Sequence, residues 1–295
     1  MDTNLRRFRR DDADKVVALS RQAYARPEEH VGNPIWASRE ELESEISDWD
    51  PPATETLLVA DDGGAVVGVG GVEAGGGSPE VADLFGPLVA KRAQGRRLGS
   101  RLLAESIALA RAHGASVLDA AIGTRNRRGR VLLERNGFSR RGSAQAFYAL
   151  RPQDHRPAAP SPAGLSVRQA GGADEGPVFA LYGECFPDGR FPEDWLRAGI
   201  HEGSAYLAEL DGQPVAFLTI DRADRWIYLV GVTEDVRGRG IGGFLLSRAL
   251  EAYWTKHPGE ALGLATGADN TPAIRLYRGQ GFRPTLLLQP YELPL

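Results

Sequence analysis

The sequence predicts an α/β (α+β) protein of two tandem domains, each a mixed central sheet flanked by helices. Three observations carry this: a chain of 295 residues, one unit written twice along it, and a Pro/Ala-rich stretch between the copies. A domain ordinarily takes about 100–200 residues, so the length alone suggests two. The expected division is residues 1–151, a semi-extended linker at 152–164 reading PQDHRPAAPSPAG, and residues 165–295.

The repeat is read element by element. Each copy opens with a short strand and an amphipathic helix, LRRFRRDDAD at 5–14 and LSVRQAGGAD at 165–174. A hairpin follows at 57–74 and at 206–223, with alternating apolar residues flanking Asp-Gly turn chemistry. Next comes a buried strand that runs into a Gly-rich turn and a helix. The closing helix and turn read GTRNRRGRVLLERNGF at 123–138 and GADNTPAIRLYRGQGF at 267–282. Gly95 to Gly238 is an offset of 143 residues and Gly137 to Gly281 one of 144, so the second halves of the two copies align with a single insertion.

Helical periodicity places the Gly-rich turns. Ile241, Leu245, Leu246, Ala249, Leu250 and Tyr253 fall on one face of a 3.6-residue helix, as do Leu98, Leu102, Leu103, Ser106, Ile107 and Ala110. Each turn therefore sits at a helix N-terminus, where unpaired N–H groups and the positive dipole end favour an anion.

Composition narrows the partners. A net charge of −4 and a pI near 5.8 argue against a general nucleic-acid binder, although Arg clusters locally in the first copy. Cys185 is the one cysteine, which excludes an intramolecular disulfide and a cysteine zinc site, and the five His show no metal-ligand spacing. The N-terminus is charged throughout and no run of 18 apolar residues occurs, so the expectation is a cytoplasmic, unanchored protein with no metal. A monomer built as an internal pseudo-dimer, or a homodimer, fits the repeat.

The anion at the second turn has two readings. Gly238, Gly240 and Gly243 satisfy the dinucleotide pattern G-x-G-x-x-G. That fold wants an acid at the end of the next strand, about 20 positions on, yet GEALGLATG ends without one and Asp269 lies 26 beyond Gly243. The first copy, QGRRLGS, breaks the pattern. The other reading is a pyrophosphate loop: Gly238, Gly240 and Gly242 let backbone N–H groups approach, while Arg237 and Arg239 add charge-assisted hydrogen bonds.

Arg237-Gly238-Arg239-Gly240-Ile241-Gly242 after the strand LVGV, with Asn270, Tyr277 and Gly281-Phe282 following, resembles the GNAT superfamily of acyl-CoA-dependent N-acyltransferases. The similarity spans about residues 165–290, with a weaker copy over about 5–150. It implies acetyl-CoA as cosubstrate, held by Arg237 to Gly242, with Asn270 on the pantetheine arm and backbone N–H groups around Val230 and Val232 polarising the thioester carbonyl. It also implies an amine acceptor, expected to be a small molecule. Asn270 reads equally as a helix N-cap. Tyr277, two helical turns on, reads either as general acid for the leaving thiolate or as core packing.

Further assignments stay open. Asp221, Tyr228, Glu234 and His201 are candidate bases for the acceptor amine. Asp188, Glu193 and Asp194 would suit a cationic acceptor, and Phe186, Phe191 and Trp195 an apolar wall, or else all six form an ordinary surface and core. The first copy departs from the pattern: Arg97 replaces the middle glycine of Gln94-Gly95-Arg96-Arg97-Leu98-Gly99, and Leu133 stands where Tyr277 stands. Loss of acid catalysis there is expected, with Arg97 restricting close backbone approach; Arg92, Arg96, Arg97, Arg101, Arg125, Arg127, Arg128 and Arg130 remain as a basic face. The competing readings of the whole chain are a non-catalytic acyl-CoA-binding scaffold and a protein N-acetyltransferase.

Overall fold

The structure, a computed structural model, describes residues 3–23, 36, 38–47, 49–74, 80–157, 161–187, 189 and 191–295. It bears out the α/β class and the duplicated element order. The compact units, however, are not the two sequence copies: one comprises Met1–Gln145 with Leu286–Leu295, the other Ala146–Thr285. The last strand of each copy belongs to the unit built by the other copy.

The first unit runs β1 (Asn4–Arg7), α1 (Ala13–Ala23), α2 (Arg39–Ile46), α3 (Ala53–Thr56), β2 (Leu57–Asp62), β3 (Ala65–Ala74), β4 (Val81–Val89), α4 (Leu98–Ala112), β5 (Val117–Gly123), α5 (Arg127–Arg135) and β6 (Ser139–Arg140). Strands β1 to β4 pair antiparallel in order and β4 pairs β5 in parallel. Its sheet is completed by residues 288–294 of β13 (Arg283–Pro294), antiparallel to β5. Tyr291 and Leu293 are buried there among Leu118, Leu133 and Phe138.

The second unit takes β7 (Gln145–Leu150), then β8 (Leu165–Gln169), α6 (Glu175–Cys185), α7 (Glu193–His201), β9 (Ala205–Leu210), β10 (Gln213–Asp221), β11 (Trp226–Val232), α8 (Ile241–Lys256), β12 (Leu262–Gly267) and α9 (Thr271–Gly279). Strands β8 to β11 are antiparallel, β12 joins β11 in parallel, and β7 flanks β12. All six residues predicted on the inner face of α8 are buried against this sheet, and so are their six counterparts on α4. A leucine at such a position contributes about 2–5 kcal/mol over alanine.

The two copies open with the same clamp. Arg6 spans Asp12 and Asp61 at 2.6 and 2.9 Å, and Arg168 spans Asp174 and Glu209, both at 2.7 Å. Asp12 accepts from the N–H of Arg9, and Asp174 from that of Gly171. The structural partners are thus Arg6 with Arg168 and Asp12 with Asp174, two residues out of the register suggested by LRRFRRDDAD and LSVRQAGGAD. The spare arginines around Arg6 hide the correct one.

The Pro/Ala-rich stretch is tied down at its start. Asp154 pairs with Arg283 at 3.2 Å, His155 Nε2 lies 3.1 Å from Gln280 Oε1, and the Arg156 N–H donates to the Gln280 carbonyl at 3.0 Å. Residues 152–156 therefore dock on the second unit. Among the described residues no helix is long and apolar enough to cross a membrane.

Candidate functional site

In the second unit, β11 leads through a 3-10 turn at Glu234–Val236 into the Gly-rich loop. Gly238 and Gly240 adopt φ of 80° and 84°, the left-handed region that disfavours other residues, and Gly240 caps α8. A Cβ on either glycine would meet open space, so conformation, not crowding, requires glycine here. The first N–H groups of α8 lack intrahelical acceptors by position. Gly242 differs: a Cβ there would come 3.3 Å from Val232 Cγ2 and 3.7 Å from Leu276 Cδ2, so it lets α8 pack closely on β11 and α9.

Arg237 and Arg239 are exposed, Arg237 Nε donating to the Val232 carbonyl at 2.9 Å and Arg239 to that of Asp235 at 3.3 Å. The Ile241 side chain lies in the core, which leaves only its backbone for a ligand.

A feature absent from the sequence reading lies on β11. Thr219 pairs with Leu229 but Ile220 with Ile227, which makes Tyr228 an extra residue, a β-bulge. The bulge flips the strand, so that Ile227 joins the core under α8 while Leu229 joins the one under α6 and α7. The parallel ladder to β12 covers only Trp226↔Gly263 and Ile227↔Leu264, although the strands continue to Val232 and Gly267. Beyond the bulge the pair splits, and Val230 and Val232 lie along this wedge in front of the α8 N-terminus.

Tyr277 on α9 is buried, with its ring 5.9 Å from that of Phe282 and 6.4 Å from that of Tyr148 on β7. Burial pushes its phenol up to about 12. Asn270 caps α9, its Oδ1 accepting from the Ala273 N–H at 3.2 Å. Gln280, unnoticed in the sequence, is buried and donates from Nε2 to the Gly243 carbonyl at 3.2 Å, linking the docked 152–156 segment to the first turn of α8.

The remaining candidates separate. Tyr228 donates its O–H to Asp224 Oδ2 at 2.6 Å, and burial together with that carboxylate raises its phenol, so it keeps its proton near neutrality and does not serve as a base in this state. His201 sits 2.7 Å from Glu175 in a network with Arg197. Asp221 accepts the Asp224 N–H and so shapes the hairpin turn, while Glu234 is exposed just before the loop. Phe186 packs with Tyr182 on the buried Phe217. Phe191 and Trp195 gather on Tyr228, with ring centroids 5.7 and 5.1 Å from it. Glu193 and Asp194 are exposed in the first turn of α7, and Asp188 lies outside the described residues.

In the first unit the loop keeps its backbone. Gly95 has φ 81°, and Arg97 caps α4 at φ 60° in the place of Gly240. Arg97 keeps the left-handed conformation and adds a side chain where Gly240 leaves open space, in keeping with the expected restriction of close backbone approach. Asn126 caps α5 as Asn270 caps α9, accepting from Gly129 at 2.9 Å. The β4/β5 ladder likewise ends, at Asp83↔Asp119, before either strand does. Pro87, without an N–H, stands in the place of Val230, and buried Leu133 in that of Tyr277.

A glycine loop at a helix N-terminus beside a split parallel strand pair, present twice, defines a duplicated acyltransferase fold. The model of the Acetyltransferase (GNAT) family matches residues 21–138 and 177–282, and the chain belongs to that family. It is 29% identical over 262 residues to the mycothiol acetyltransferase of Clavibacter michiganensis subsp. michiganensis, covering 78% of this chain and 80% of that one. Its tandem layout is similar to that of mycothiol synthase. Among solved structures it resembles a GCN5-related N-acetyltransferase from Sphaerobacter thermophilus, with a TM-score of 0.80 and 21% identity over 98% of this chain and 94% of the other. A tandem GNAT protein from the clavulanic acid biosynthesis pathway gives 0.70 and 19%, over 99% and 98%. At such identities these two likenesses speak for the fold alone.

Proposed function

We propose that the second unit transfers an acetyl group from acetyl-CoA to the amine of a small molecule, and that the first unit has lost this chemistry. The observation that carries the reading is the wedge beyond Ile227, opening in front of the Gly238–Gly242 loop. The residues present fit the coenzyme: the space over Gly238 and Gly240 is open, with Arg237 and Arg239 at its edge, and the first N–H groups of α8 lack intrahelical acceptors. When bound, acetyl-CoA supplies the activated acyl group as a thioester.

The protein's part is positioning and proton transfer. Loop N–H groups hold the pyrophosphate, and β11 backbone donors freed by the split around Val230 and Val232 polarise the acyl carbonyl. Tyr277 holds a proton for the departing thiolate. Its pKa near 12 makes it a weaker donor than a free phenol. Burial lifts thiols too, as it does at Cys185, so desolvation of the thiolate offsets part of this loss.

Isothermal titration with acetyl-CoA tests this reading. One site, lost in Gly240→Arg, supports it. Two sites would return the coenzyme to the first unit, and none would overturn the reading.

A further inference from the structure

Within the second unit, the sheet face that carries α6 and α7 is unevenly covered. Those helices pack on β10 and β11. The neighbouring strand β12 presents Gly263 on that face, and by strand alternation Ala265 and Gly267 as well. Small residues alone would mean little. Here, however, aromatic rings stand around them. A Cβ at Gly263 would overlap the Trp226 ring, so the indole lies across β12, and its centroid is 6.0 Å from that of Phe147 on β7. Tyr228, Trp195 and Phe191 continue the wall from Trp226 at centroid distances of 5.0–6.5 Å. All five rings are only partly buried. Half-covered aromatics in this number, converging on the bulge where the wedge begins, are more than core packing requires.

A carboxylate stands directly on the aromatic wall. Asp224 accepts from the Tyr228 hydroxyl at 2.6 Å, and the Asp221 carboxylate also acts on that phenol. Arg222 of the same hairpin is engaged elsewhere, donating to the Glu202 carbonyl. Carboxylates and aromatic faces together favour an ammonium group over an anion or a neutral sugar.

We infer that this groove is the acceptor subsite and that it takes a primary amine carried on a flat aromatic body. The ring stacks against Trp226 and Trp195 beside the Ala265 and Gly267 positions of β12, with the nitrogen directed past Tyr228 toward the wedge. This rests on the acetyl-transfer reading for its chemistry, but the groove can be tested without it.

With the full chain, release of coenzyme thiol from acetyl-CoA is followed with 2-phenylethylamine, spermidine and glucosamine. The expected kcat/KM for 2-phenylethylamine exceeds the other two by about tenfold or more. Trp195→Ala lowers it by about tenfold, mainly through KM, with acetyl-CoA affinity unchanged, and Trp195→Phe restores most of the loss. In parallel, binding of 2-phenylethylamine to the protein without acetyl-CoA is followed by the indole NMR signals. Binding that Trp195→Ala removes, in a protein that performs no transfer, would uphold the groove and overturn the acetyl-transfer reading. Transfer that favours spermidine or glucosamine and is indifferent to Trp195→Ala would overturn the groove and leave acetyl transfer standing.

Discussion

The two units share a scaffold and differ at nearly every position where chemistry would occur. Both keep the loop backbone, the Asn cap of the closing helix and the prematurely ended parallel ladder. Yet Pro87 corresponds to Val230, Arg97 to Gly240 and Leu133 to Tyr277. On the other sheet face, Glu73, Asp83 and Asp119 stand in register across three strands where the second unit has Asp221, Trp226 and Gly263. A fold can therefore hold its geometry, even a left-handed arginine, after the residues that would use that geometry have changed. Backbone shape is maintained by many contacts, and chemistry by a few atoms.

The contrast can be broken at several points. Tyr277→Phe should lower turnover by about 10²-fold or more with little change in acetyl-CoA affinity. Unchanged turnover would make the difference between Tyr277 and Leu133 one of packing only. Gly240→Arg, which copies the first unit into the second, should weaken acetyl-CoA binding by about tenfold or more. Because Arg97 already occupies this conformation, circular dichroism should show a folded protein; retained affinity would mean that the coenzyme does not approach the loop there.

The acidic row gives a pH signature. Burial, with Glu45 and Asp83 nearby, pushes the Glu73 carboxyl up to about 7, above its unfolded value of about 4.3, and both neighbours are raised as well. The folded state then binds more protons than the unfolded state between those values. The contribution of this group to stability is full below about pH 4.3 and is lost as pH rises through 7. Arg141, 2.7 Å from Asp119, relieves one end of the row only. Glu73→Gln should flatten the fall in melting temperature between pH 5 and 7.5, and an unchanged slope would show that the row does not titrate in this way. The smallest effect is expected of Arg97→Gly: relief of the left-handed strain, less the backbone entropy of glycine, leaves a gain of about 0.5–1 kcal/mol by chemical denaturation. A loss would mean that the arginine side chain contributes more than its conformation costs.

Much of this was legible in the residues. The loop was, because left-handed turns select glycine and Gly238 and Gly240 announce it; the inner faces of α4 and α8 were, because the 3.6-residue period is local. The bulge at Tyr228 and the split after Ile227 were not, since they arise from pairing between strands far apart in sequence and leave no composition signal. Asn270 shows the ambiguity at its plainest: an N-cap and a ligand contact call for the same residue. The docking of 152–156 depends on Gln280 and Arg283, more than a hundred residues away.

The exchanged strands carry a further consequence. Tyr148, beside Tyr277, is encoded in the first copy, and Tyr291, in the core with Leu133, in the second. On the ribosome the second unit can assemble as its own residues emerge, because Ala146–Leu150 are by then already outside. The first unit cannot close its sheet until Leu288–Pro294 have been synthesised. The half that is translated first is thus the half that finishes last, and its β5 edge stays without its β13 partner until then.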